Sequence, residues 1–132
     1  MTRREEREQA FCLIFEEQFD SGDIESLLET AADERDYEMS EYITSTVRGV
    51  LENKDEIDKI ITKHSSGWNI SRLSKVSLSI LRLAVYEVKY NSDVPESAAI
   101  NEAVELAKTY DTEDAPAFIN GILGSFSRED KE

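Results

Sequence analysis

The chain has 132 residues, with 15 Lys+Arg against 29 Asp+Glu and a net charge of −14. Its hydrophobic share of 39% is enough to offset chain entropy, which excludes a disordered chain and leaves room for one domain with a real core. No stretch approaches the roughly 18 to 20 apolar residues of a membrane span, and the overall acidity argues against a protein that coats nucleic acid non-specifically. The N-terminus carries charges where a signal peptide needs an apolar run, and the single cysteine, Cys12, has no internal partner. The cytoplasm is the expected compartment. The charge is uneven, however. Residues 16–41 are strongly acidic, whereas residues 42–92 are net basic and the first 15 residues balance three arginines with three glutamates. Anion binding is therefore expected only in the N-terminal arm and the middle of the chain.

Two prolines and five glycines suit long helices. The first helix is expected from about Arg3 to Phe19, with Thr2 and Glu5 forming a capping box. Asp23 caps a short second helix carrying Ile24, Leu27, Leu28 and Ala31, inside an acidic variable segment spanning residues 20–41. A charged connector covers residues 33–39. Ser40 caps a third helix with Tyr42, Ile43, Thr46, Val47 and Val50 on one side, and Gly49 within it marks a close helix–helix contact. A fourth helix, roughly Lys54 to Lys63, ends at Ser65-Ser66-Gly67, before Trp68. The fifth, roughly Ser71 to Asn91, is apolar over most of its circumference and should be central. It leaves one polar stripe of Arg72, Lys75, Ser79, Arg82, Tyr86 and Lys89. Pro95 starts a sixth helix with Ala99, Ile100, Ala103, Val104 and Ala107. The last begins near Ala115-Pro116, and residues 128–132 read as a frayed tail. The fold class is all-α, about seven helices in one domain over residues 1–132.

Little in the chain suggests catalysis. His64 and Cys12 are lone residues of their kind, and nothing orients them as a pair. Cys12 reads as a small core residue and His64 as a capping group near a helix end. No metal-ligand set, phosphate loop or calcium loop is present in the sequence, and no metal or cofactor is expected.

Three stretches carry a resemblance. They are Asn101-Glu102-Ala103-Val104-Glu105-Leu106-Ala107-Lys108, Phe118-Ile119-Asn120-Gly121-Ile122-Leu123, and Leu81-Arg82-Leu83-Ala84-Val85-Tyr86-Glu87-Val88 with Pro95 soon after. With Arg48-Gly49-Val50, Asn53, Ile57-Asp58 and Trp68, they resemble the NusB transcription antitermination family over about residues 42–124, and less closely over the first helix. The resemblance implies an all-helical fold of two small packed bundles and no enzymatic activity. It also implies pairing with NusE, a basic small-subunit ribosomal protein, and joint binding of single-stranded boxA RNA within an antitermination complex on RNA polymerase. Some members form homodimers that cover the RNA surface, so a homodimer is among the expected states.

The same resemblance places an arginine-rich RNA-binding motif on Arg3, Arg4 and Arg7. Three guanidiniums near one helix start can fork onto phosphates and stack on bases. Glu5, Glu6 and Glu8 interleave with them, so a surface of weak ion pairs is the competing reading. Phe118 and Asn120 match a family pair near the RNA, as a stacking ring and a base-reading amide, against core packing and a surface amide. Phe15 is open to stacking but suits the core better. Arg72, Lys75 and Arg82 on the fifth-helix stripe extend the expected RNA track, although Arg82 is equally suited to an internal carboxylate. Glu87 matches a position on the NusE-facing side. The RNA reading requires the arm and the stripe to share one face.

Rival readings remain open. One is an acidic helical adaptor that binds NusE or another protein without RNA. Others are an accessory domain like that fused to some RNA cytosine methyltransferases, and an unrelated helical bundle.

Overall fold

The computed structural model describes residues 1–19, 23–34, 39–65 and 70–130. Trp68, the break at Ser66-Gly67 and most of the expected connector lie outside the described residues. Among the described residues there are seven α-helices and no strand: α1 (Arg3–Glu17), α2 (Ile24–Glu34), α3 (Glu41–Glu52), α4 (Lys54–His64), α5 (Lys75–Tyr90), α6 (Glu96–Tyr110) and α7 (Ala115–Asp130). A 3-10 turn, Ile70–Arg72, precedes α5. None of these helices is long and apolar enough to cross a membrane.

The helix starts follow local chemistry. The Thr2 hydroxyl accepts the Glu5 N–H at 3.1 Å, while the Glu5 carboxylate accepts the Thr2 N–H at 3.0 Å. These bonds satisfy two of the donors that a helix start leaves open. The backbone bond from Thr2, followed by its hydroxyl contact, holds the Glu5 pKa below its ordinary value. Asp23 caps the start of α2 through the Ser26 N–H, and the Ser40 hydroxyl accepts from Ile43.

The Ser71–Asn91 helix starts later than its apolar pattern suggests. The Ser74 side chain accepts the Ser77 N–H at 3.0 Å and so caps α5, while Ile70–Arg72 forms a separate turn. A serine that hydrogen-bonds its own backbone favours the cap over the helix interior. Arg72 therefore stands before α5 rather than on its stripe.

α5 is the shared partner of the fold. It packs against α1 and α3 on one side and against α4, α6 and α7 on others. Ile80, Leu81, Leu83, Ala84 and Val85 are buried along it, meeting Ile14, Ile43, Val47, Ile57, Ile61, Ile119 and Leu123 in one core. Each fully buried Leu or Ile contributes roughly 1.5 to 3 kcal/mol of apolar burial. The expected close approach at Gly49 is present: a Cβ there would lie 2.3 Å from the Tyr86 ring. The far end also differs from expectation. α7 continues to Asp130, and Glu129 is paired with Lys63 of α4, so residues 128–130 are helical rather than frayed.

Candidate nucleic-acid interface

The N-terminal arm divides among three fates. Arg3 remains exposed, with its guanidinium 4.3 Å above the Tyr42 ring and 3.5 Å from Glu6. Arg4 is exposed too, but it reaches across to α6 and holds Glu102 through Nε and Nη2 at 3.0 to 3.3 Å. That bond and the Glu102 charge raise its pKa. Arg7 is buried and forks onto Glu87 of α5, Nε to Oε1 at 2.8 Å and Nη2 to Oε2 at 3.0 Å. Burial works against the Arg7 charge, but the Glu87 bonds and charge outweigh it and raise the guanidinium pKa. The Tyr42 hydroxyl donates to the same Glu87 carboxylate at 3.0 Å.

Two expectations are corrected here. Arg7 does not belong to an exposed arginine motif, because its donors are committed inside the fold. Glu87 does not face a partner, because it is 1% exposed and enclosed by Arg7 and Tyr42. The arm's third and fourth positions remain on the surface because helical spacing turns them away from α5, whereas Arg7 lies on the same side as Ala10, Phe11 and Ile14.

The basic stripe is corrected as well. Arg82 is buried and grips Asp58 of α4 through two bonds of 2.8 Å, and Lys89 meets Glu56 of α4 at 2.6 Å. Tyr86 packs over Gly49 of α3. The middle and end of the stripe thus serve helix packing and do not form an open track. Only its beginning is free: Arg72 and Lys75 are exposed and have no carboxylate partner among the described residues.

The arm and these free cations lie at opposite ends of α1. Arg7 meets Glu87 late in α5, whereas the Gln18 amide just after α1 donates to the Lys75 carbonyl at 2.8 Å and to the Ser79 hydroxyl at 2.6 Å, early in α5. The helices are antiparallel, so about 20 Å of α1 separates Arg4 from Lys75.

The remaining expected residues fall into separate grooves. Arg72 and Phe118 line one groove together, with Ser77, Asp111 and Asp114. There the Asp111 carboxylate is engaged by the Ser77 hydroxyl and by the Thr112 N–H, and Asp114 is exposed at the edge. Arg4 and Asn120 line a second groove with Asn101 and Lys108. Phe118 and Asn120 therefore face different sides of α7, as positions two apart on a helix must. Lys75 and Arg82 share a third groove with Gln18, Phe19 and Lys54.

One feature escaped the sequence reading. Phe11, Phe15 and Phe19 form a row along α1, at centroid distances of 6.3 and 5.1 Å, and Tyr110 of α6 extends it 5.1 Å from Phe11. Phe19 is 65% exposed at the end of this row, with the Lys75 ammonium 5.3 Å above its ring. The four-residue spacing of the phenylalanines was the available signal. Lys108, in the groove with Asn120, also went unremarked as a surface group.

Comparison with known proteins agrees with the fold. The NusB family model matches residues 4–128. The "Transcription antitermination protein NusB" of Thermoanaerobacter sp. (strain X514) is 44% identical over 131 residues, covering 98% of this chain and 93% of that protein. Its namesake in Listeria monocytogenes serotype 4a is 42% identical, covering 99% of this chain and 100% of that protein. Among solved structures, T. maritima NusB aligns with a TM-score of 0.88 at 37% identity, over 98% of this chain and 92% of that one. A structure described as the antitermination factors NusB and NusE in complex with dsRNA aligns with a TM-score of 0.83 at 27% identity, over 98% and 99% of the two chains. With a family model spanning nearly its whole length and relatives above 40% identity, the chain belongs to the NusB family.

Proposed function

We propose that this protein is a transcription antitermination factor that binds boxA-type single-stranded RNA together with NusE, inside the cell and without catalysing a reaction. The observation that carries the RNA surface is the presence of Arg72 and Phe118 in the lining of one groove beside the N-terminus of α5. A guanidinium with no carboxylate partner among the described residues, beside an aromatic ring, is the chemistry of single-strand recognition, where the cation meets phosphate and the ring stacks a base. Lys75, one turn further on, adds a second free cation. Arg3 and Arg4 supply a weaker contact at the far end of α1, where Arg4 must leave Glu102 to reach a phosphate. Arg7 and Arg82 act structurally, and Asn120 lies with Arg4 in the separate groove. On the protein side, Glu29, Asp33 and Glu34 are exposed on α2 and suit a basic ribosomal protein. Residues 1–132 act as a single domain in this reading.

The test is fluorescence anisotropy of a boxA-like RNA, with and without NusE, at two salt concentrations. The reading expects salt-sensitive binding that tightens with NusE and weakens for Arg72→Ala and Phe118→Ala. A second reading, an adaptor without RNA binding, is favoured by the pairing of Arg4 with Glu102 and Arg7 with Glu87. A stable NusE complex that never binds RNA would select it.

A further inference from the structure

We infer that Phe19 is a stacking platform for one base of a bound single-stranded RNA, with Lys75 as the cation that meets the neighbouring phosphate. The inference rests on the RNA-binding reading above and adds a site to it. A single exposed apolar residue means little by itself, because apolar atoms make up much of any protein surface. Phe19 differs in three ways. Its ring is held edge-on against Phe15 at 5.1 Å, at the end of an aromatic row anchored in the core through Phe11. The segment carrying it is tied down by the two hydrogen bonds of Gln18 to α5. The Lys75 ammonium stands 5.3 Å from the ring centroid, a cation–π distance, and no carboxylate among the described residues pairs with it.

The charges around the groove favour a nucleic acid. Lys54 is paired with Glu17 at 2.9 Å and Arg82 with Asp58 at 2.8 Å, so among the described residues of the groove Lys75 leaves one net positive charge. This local excess occurs in a chain of net charge −14. A basic protein partner would be repelled by it. A nucleotide fits both features, since its base can cover the ring face while its phosphate draws the flexible lysine head outward. Ser74 and Arg72 of the Phe118 groove adjoin Lys75 in sequence at the start of α5, so a strand bound at Phe118 can continue to Phe19.

The test measures uniform single-stranded RNA and boxA-like RNA against the whole protein, with and without NusE. Phe19→Ala, Phe19→Trp, Lys75→Gln and Arg72→Ala are compared. Stacking predicts a loss of about 5- to 100-fold for Phe19→Ala, with an unchanged salt slope. Phe19→Trp retains the affinity, and Lys75→Gln makes the log–log salt slope shallower by about 0.7. Circular dichroism checks that each variant is folded. If Phe19→Ala binds RNA like the parent while Arg72→Ala is weakened, the platform is wrong and the RNA reading stands. If Phe19→Ala weakens NusE binding alone, the ring is a protein contact and the inference fails. If the parent binds no RNA even with NusE, both readings fall together.

Discussion

Arg7 and Glu87 face each other across the α1–α5 interface as a two-bonded fork, with side chains 8% and 1% exposed. Tyr42 of α3 completes the arrangement, so one carboxylate joins three helices. Breaking a buried pair is costly because the remaining charge has neither water nor partner. Glu87→Leu and Arg7→Met should each destabilise the protein by about 3 to 5 kcal/mol. The double variant should recover a large part of that loss. Urea denaturation of the four proteins measures this, and single variants within about 0.5 kcal/mol of the parent would refute it.

Gly49→Ala opposes two effects of different size. Alanine favours the helix by about 1 kcal/mol, but its Cβ would lie 2.3 to 2.5 Å from the Tyr86 ring atoms. Tyr86 also stacks on Tyr90 at 5.5 Å, so displacing it disturbs a second ring. The overpacking should win by about 1 to 3 kcal/mol. In a Tyr86→Ala background the sign should reverse and Gly49→Ala should stabilise. A double-mutant cycle by thermal denaturation reads both numbers.

The salt dependence of RNA binding separates free cations from structural ones. Arg72→Ala should make the log–log slope shallower by about 0.7, the value for one phosphate contact on a single strand. Arg82→Met should leave the slope unchanged, because the guanidinium already grips Asp58, and should lower stability instead. An Arg82→Met slope as shallow as that of Arg72→Ala would restore the stripe as an RNA track.

Alkaline pH should loosen the fold. Burial, then the Glu8 hydrogen bond and charge, push the Tyr110 phenol from 10 up to about 12. Burial and the Glu87 charge push Tyr42 up as well. A raised pKa in the folded state means that folding favours the proton. The contribution is therefore complete below the ordinary value of 10 and is lost as pH rises through the folded values. Melting temperature should fall across that window. Tyr42→Phe should flatten part of the fall, and an equally steep fall in Tyr42→Phe with Tyr110→Phe would contradict the assignment.

Much of the helical order was legible in the sequence because short-range rules decide it. Thr2, Ser40 and Asp23 cap as their chemistry dictates, and the apolar circumference of residues 76–88 predicts a central α5. The late start of that helix was not legible, since Ser74 could be read as a cap or as interior. The candidate site was less legible for a physical reason. Periodicity tells which residues share a helix face but not which helix covers that face. Arg7 and Glu87 look like surface charges in one dimension and Arg82 reads equally as a surface or an internal charge, and each meets its counterion only through contacts 24 or 80 residues away. The Phe11–Phe15–Phe19 row was present in the sequence, but its exposed end depends on where α1 stops.

The most direct test of the RNA surface compares two charge-removal pairs at opposite ends of α1, in complex with NusE. The account predicts that Arg72→Ala with Lys75→Ala removes most of the salt-dependent affinity for boxA-like RNA, and that Arg3→Ala with Arg4→Ala removes less. Equal NusE binding by both pairs is the control for folding. The opposite ranking, with the arm pair abolishing RNA binding and the Arg72/Lys75 pair leaving it intact, would contradict the placement of the RNA surface at the start of α5.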